Sequence, residues 1–171
     1  MTTLAGHRTA KAIPSLRADA YEKLLAIGAS LLLAAILVAL AKGHAQWGAV
    51  PLVIWGHLAT VLVALVLTPV MLLRPRGDAT HRAFGKLWVA AMFLTAVESF
   101  FVRFANGGQF SFIHIISAYV VIAAPFIWLS ARAHRIASHR RQVRGMVTGA
   151  LLIAGFFTLP PFRLLGRWLL S

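Results

Sequence analysis

The chain contains no cysteine. Disulfides, thiolate metal sites, iron–sulfur clusters and c-type haem attachment are thereby excluded, so any metal or haem must rest on His, Met or carboxylate ligands. Charge is also scarce. Only 12% of the 171 residues are charged and 60% are hydrophobic, whereas a soluble domain has roughly 25% and about 45–50%. With a mean hydropathy of +0.80, this is the composition of an all-α, polytopic membrane bundle forming one domain. Acidic residues are the rarest group, four against seventeen Lys and Arg, for a net charge of +13. In a soluble protein that excess would suggest nucleic acid. Here the cations lie between apolar runs, where facing anionic lipid and setting topology explains them better. Nucleotide and phosphate loops and catalytic triads are missing: Gly107–Gly108 belongs to a turn, so hydrolase or ATPase chemistry is not expected.

About five spans follow from the apolar runs, each near the 20 residues that cross a bilayer core. Residues 1–23 form a polar N-terminal tail with no cleavage-site pattern, residues 24–162 the membrane bundle, and residues 163–171 an amphipathic tail suited to the interface. The spans run over Leu24–Ala41, Val50–Leu73, Phe84 to about Arg103, Ser111–Ser130 and Gly145–Leu159, the last entered through Ser138 as a cap. ANGGQF at 105–110 reads as a tight turn, His44 and Trp47 as interfacial, His7 as solvated, and Pro125 as a kink. The tail, the loop 74–86 and the loop 132–144 share one side and hold thirteen of the seventeen cations. The positive-inside rule then places the N-terminus in the cytoplasm of an inner-membrane protein and the C-terminus outside.

The chain is organised around Arg74–Trp88, RPRGDATHRAFGKLW. Pro75 and Gly77 break a helix and Asp78 caps the next one. His81 then falls in a first turn with Arg82 and Lys86 nearby, and Gly85, four residues on, leaves a gap on the same face. Depth counting from the helix ends pairs the remaining membrane histidines. His57 and His114 lie near the outer ends of spans two and four, and His81 and His139 near the inner ends of spans three and five. Two bis-histidine b haems stacked across the bilayer need this pattern, with ligands from facing helices. Gly56, Gly85 and Ala118 would make room, and Arg82, Arg140, Arg141 and Arg144 could neutralise propionates.

Plainer readings stand beside that one. A histidine at a helix end is often interfacial, and His134 could replace His139, a choice the sequence leaves open. His57 is harder to dismiss, since polar residues inside spans are costly and usually functional. Glu98 is 17 residues beyond His81, about 26 Å along a helix, which returns it to the outer level. It could be a structural partner for Arg103, a hydrogen-bond partner of a neighbouring helix, a proton relay, or a metal ligand with His57 and His114, since two histidines and a carboxylate also fit a non-haem metal.

The runs GDATHRAFGKLWVAAM, FSFIHIISAY and HRRQVRGMVTGALLIAGFFTLPPFRLLG resemble the bacterial membrane family called domain of unknown function 2306. The likeness covers roughly residues 50–170, with His81, Arg82 and Gly85 as an HR-x-x-G motif. It implies a small helical inner-membrane protein and brings no established activity. The layout is also similar to cytochrome b561 proteins, whose ligands sit on four consecutive spans paired first with third and second with fourth. The ligands here lie closer to the membrane surface, and no ascorbate-site pattern is present. The first expectation is therefore a transmembrane di-haem b-type cytochrome, a membrane oxidoreductase working with a quinone or redox partner protein, and a candidate homo-oligomer. The alternatives are a metal-handling or transport protein using His57, Glu98 and His114, and a cofactor-free membrane subunit.

Overall fold

The computed structural model describes residues 17–102 and 109–171. Residues 1–16, His7 included, and residues 103–108, which hold Arg103 and most of the expected turn, lie outside the described residues. Among the described residues the chain is all helical, with no strand.

Helix α1 spans Ala20–Lys42, so the polar tail ends earlier than residue 23. The reason is a capping box. The Asp19 carboxylate accepts the Glu22 N–H at 3.0 Å, and the Asp19 N–H donates to Glu22 Oε2 at 3.1 Å, which satisfies two otherwise orphaned donors. Along α1 the buried positions Leu25, Ala29, Leu32, Ile36 and Ala39 recur every three or four residues, a seam that faces the bundle while Leu24 and Leu31 stay exposed. A 3₁₀ segment, His44–Ala49, leads to α2, Leu52–Leu73. Pro69 lies inside α2. The preceding Thr68 is buried and ties its hydroxyl to the Ala64 carbonyl at 2.7 Å.

Helix α3, Ala79–Ser99, lies between α2 and α4, Phe112–Arg132. Its N-terminus follows the reading of the boundary stretch: Gly77 takes φ +95°, a left-handed turn that L side chains rarely adopt. Asp78 then caps the helix through the His81 N–H at 2.6 Å. Helix α4 stops where His134 adopts φ 52° and the Arg135 N–H returns to the Ser130 carbonyl at 3.0 Å. Helix α5, Ile136–Met146, continues through π-helical turns at Val147–Ile153 into α6, Ala154–Phe156. The last long helical stretch thus starts at Ile136 rather than Gly145. Its N-cap is Arg135, and Ser138 sits inside the helix, accepting from Gln142 Nε2 at 3.4 Å. The stretch packs on α1 where Gly155 lets Leu32 approach: a Cβ there would lie 2.5 Å from Leu32 Cδ2. Small residues at such crossings are how membrane helices come close.

Among the described residues three helices, α1, α2 and α4, are long and apolar enough to cross a membrane. The C-terminal tail folds as α7, Leu164–Leu170, against the far end of α1. Trp168 is buried there with its Nε1–H on Gln46 Oε1 at 2.9 Å, and Lys42 Nζ donates to the Leu169 carbonyl at 2.8 Å.

Candidate functional site

A partly open cavity of about 250 Å³ lies at the end of the bundle where the boundary stretch meets α4 and α5. His81, Gly85 and Trp88 of α3, Thr68 and Met71 of α2, Ile127 of α4 and His139 of α5 all line it. The wall is held rigidly, since Trp88 Nε1–H donates to the buried Thr68 hydroxyl at 2.9 Å. Histidines expected to pair at the inner level therefore do meet one space. His139 Nδ1 lies 3.1 Å from the Ile127 carbonyl. A carbonyl only accepts, so Nδ1 carries the proton and Nε2 keeps its lone pair. Such a backbone tether is what usually orients a ligating imidazole. His81 Nδ1 is buried with no hydrogen-bond partner among the described residues, a state that costs free energy unless a ligand satisfies it. Gly85 leaves the wall open. A Cβ at that position would reach only ordinary contact with Met71 Cε, at 3.4 Å. His134 also reaches the rim but is exposed in its left-handed turn.

The carboxylate that organises this end is Glu22, only 1% exposed. Arg76 Nη2 reaches it at 2.5 Å, Arg140 at 2.7 Å and Arg144 at 3.2 Å, tying α1, the α2–α3 loop and α5 together. Asp19 also pairs with Arg140 and Arg144. The Asp19 carboxyl is held below the usual range, chiefly by the Glu22 N–H, with Arg144 adding to it against the opposing effect of burial. At the neighbouring cap, the His81 N–H and Arg74 lower the Asp78 carboxyl in the same way.

The outer candidates are arranged differently. His57 donates Nδ1–H to the Thr95 carbonyl at 3.1 Å. The Thr95 hydroxyl donates to Thr60 at 2.8 Å, and Thr60 donates to Glu98 Oε2 at 2.7 Å. Gly56 makes room for that carboxylate, since a Cβ there would sit 3.4 Å from Glu98 Oε1. Glu98 is thus held by a hydroxyl chain between α2 and α3, while its expected partner Arg103 is outside the described residues. His114 is 6% exposed and belongs to the cap of α4. The Ser111 N–H donates to its Nδ1 at 2.9 Å, and the Ser111 carbonyl lies 3.1 Å from the same nitrogen. Nε2 is buried without a partner among the described residues, and the ring stands edge-on to Phe110 at 4.9 Å between centroids. Among the described residues no three His, Asp or Glu side chains converge as a metal set, so His57, Glu98 and His114 are not gathered around one point. Ala118, expected to make space beside His114, is exposed.

Of the four arginines expected near the inner pair, Arg82 and Arg140 line the cavity. Arg140 and Arg144 are engaged by Glu22, and Arg141 is exposed away from the cavity. Glu22 itself was missed by sequence reasoning. Its signal was the D-x-x-E spacing of Asp19 and Glu22 directly before an apolar run. No family model, curated protein or solved structure matches the chain, so the resemblances read from the sequence rest on their motifs and layout.

Proposed function

We propose that the chain is a five-span inner-membrane protein, with a cytoplasmic N-terminus and an outer C-terminus, that binds haem b at its inner end between His81 and His139. In this reading it is a b-type cytochrome exchanging electrons with a quinol or a redox partner protein. The observation that carries the proposal is a cavity lined by both histidines, one tethered through Nδ1 to the Ile127 carbonyl and the other with a buried Nδ1 that has no hydrogen-bond partner among the described residues. The HR-x-x-G motif lies in this site, which attaches the family resemblance to the same proposal.

The cavity is smaller than the roughly 300–1,000 Å³ of typical enclosed ligand sites. Its partly open side lets a flat ligand extend beyond it while the centre stays between α3 and α5. Trp88, Ile127, Val143 and Val147 offer the apolar wall that excludes water from such a ligand. A b-type haem held by His81 and His139 would supply one-electron redox chemistry, tuned by the hydrogen bonds those histidines make. The chain's part is to orient His139 through Ile127, to fix the α3 wall through Trp88 and Thr68, and to keep α5 in place through Glu22. The five-span topology is supported by the thirteen cations on one side and by α3 packing between two apolar helices. The reading is confined to the inner pair, the two histidines that line one cavity.

Reduced-minus-oxidised spectra of the detergent-purified protein, with pyridine haemochrome quantitation, test the reading. About one haem per chain is the expected result. Protein that stays colourless after growth with haem precursor and after reconstitution would overturn it.

A further inference from the structure

We infer that Arg82, Lys86 and Arg132 form a carboxylate-receiving subsite at the mouth of the inner cavity, which takes the two carboxylates of the haem. The inference rests on the haem reading above and says which charges recognise the ligand. Five cationic residues line the cavity, Arg76, Arg82, Lys86, Arg132 and Arg140, against one carboxylate, Glu22. Glu22 is committed to Arg76 and Arg140. These two arginines therefore share a counter-charge within the protein and hold the bundle together.

The other three have no such balance. Arg82 donates Nη1–H to the Gly77 carbonyl at 2.5 Å, a neutral acceptor that leaves its charge uncompensated. Lys86 is four residues further along α3, one turn along the same face. Arg132 sits across the mouth at the end of α4, its guanidinium 5.4 Å from the Trp128 ring centroid, a stacking that holds it in place. None of the three has a carboxylate within ion-pair distance among the described residues. An apolar wall with cations on one edge fits a flat apolar body carrying acids on one edge. Guanidinium groups suit carboxylates by geometry as well as charge. The plainer account is that these cations only face anionic lipid headgroups, as any inner-face cation does. The two accounts part over the ligand's charge.

Haem and haem dimethyl ester, which lacks the two charges, can be titrated into the detergent-purified apoprotein and followed by Soret absorbance. The ester should bind about tenfold more weakly to the native chain, as expected when charge-assisted hydrogen bonds are lost. The K86Q/R132Q double variant should weaken haem by a similar factor and leave the ester unchanged. The single K86Q variant alters one exposed side chain, keeps the fold, and should weaken haem about threefold. Equal binding of haem and ester by the native chain, or a variant that weakens both alike, would overturn the subsite while leaving the haem reading intact. If neither ligand binds the native chain, the haem reading falls and the subsite falls with it.

Discussion

His81 and His114 occupy the same helical position, third after the caps Asp78 and Ser111, yet the two ends of the bundle use them differently. In α4 the serine cap leaves its own N–H to be satisfied, and His114 Nδ1 accepts it, doing the work of Glu or Gln in a capping box. In α3 the cap is an aspartate that takes the His81 N–H and is itself held by Arg74 at 2.7 Å. The His81 ring makes no return bond and its Nδ1 stays spare, beside a cavity shared with His139. Histidines at matching depths thus do not imply matching roles. What differs is the setting: His81 lines a cavity shared with a second histidine, and His114 closes its own cap.

The largest expected effect breaks the symmetry outright. His81→Ala and His139→Ala should each abolish haem binding, read as loss of the reduced α band in protein that remains folded. His114→Ala should keep it. Loss of the band in His114→Ala with retention in His81→Ala would reverse the assignment of the two ends.

The next effect concerns what holds the inner end together. Glu22→Gln keeps the side-chain volume but leaves Arg76 and Arg140, 11% and 15% exposed, without their buried counter-charge. Removing one partner of a buried ion cluster costs about 3 kcal/mol or more. A marked drop in thermal unfolding temperature in detergent is expected, with haem retained at low temperature. An unchanged melting profile would show that the cluster is screened by water and does not fasten α1 to α5.

Much of this was legible in the chain. The helical class, the membrane character and the Asp78 cap follow from composition and from turn residues that allow few alternatives, such as Gly77 at φ +95°. The meeting of His81 and His139 was readable because helix periodicity fixes depth and the loops fix which ends share a side. The capture of His114 by its cap was not. Ser111 and His114 look like any N-terminal turn, and which way an imidazole faces depends on side-chain packing that no spacing encodes. The role of Glu22 was hidden for a related reason. Its partners Arg76, Arg140 and Arg144 come from segments 54 to 122 residues away, and a one-dimensional pattern does not show which of many arginines will converge on one acid. The last long helical stretch begins at Ile136 and not Gly145 because an apolar run marks only the apolar part of a helix. The polar first turns of α5 bury one face against α4, where Ser130 donates to Gln142 Oε1 at 2.9 Å.

A smaller effect sharpens the contrast between the two N-terminal turns. His114→Ala should cost about 1 kcal/mol, the usual value of a lost capping interaction. His114→Gln should recover most of it, since Gln closes the same box from the same position. Both are read by thermal unfolding of the detergent-solubilised protein. If Gln is no better than Ala, the stabilising part of His114 is its packing against Phe100 and Phe110, at 6.0 and 4.9 Å between ring centroids, and not the cap.

The smallest effect belongs to the inner end and depends on pH. Asp19 caps α1 and pairs with Arg140 and Arg144, with its side chain 45% exposed. Its folded pKa lies below the ordinary value. A carboxyl of this kind adds stability that is fully present above its unfolded pKa, about 3.9, and that is lost as pH falls through the folded value. Asn caps a helix about as well as Asp, so Asp19→Asn keeps the cap bond to the Glu22 N–H and removes only the titrating charge. The native chain should be more stable than the variant above about pH 4, by less than about 1 kcal/mol because water screens a half-exposed pair. The gap should close as pH is lowered further, whereas groups that do not touch Asp19 or its arginines titrate alike in both proteins and cancel. A gap that persists unchanged to the lowest pH at which both remain folded would mean that Asp19 acts through its shape at the cap and not through its charge on the arginines.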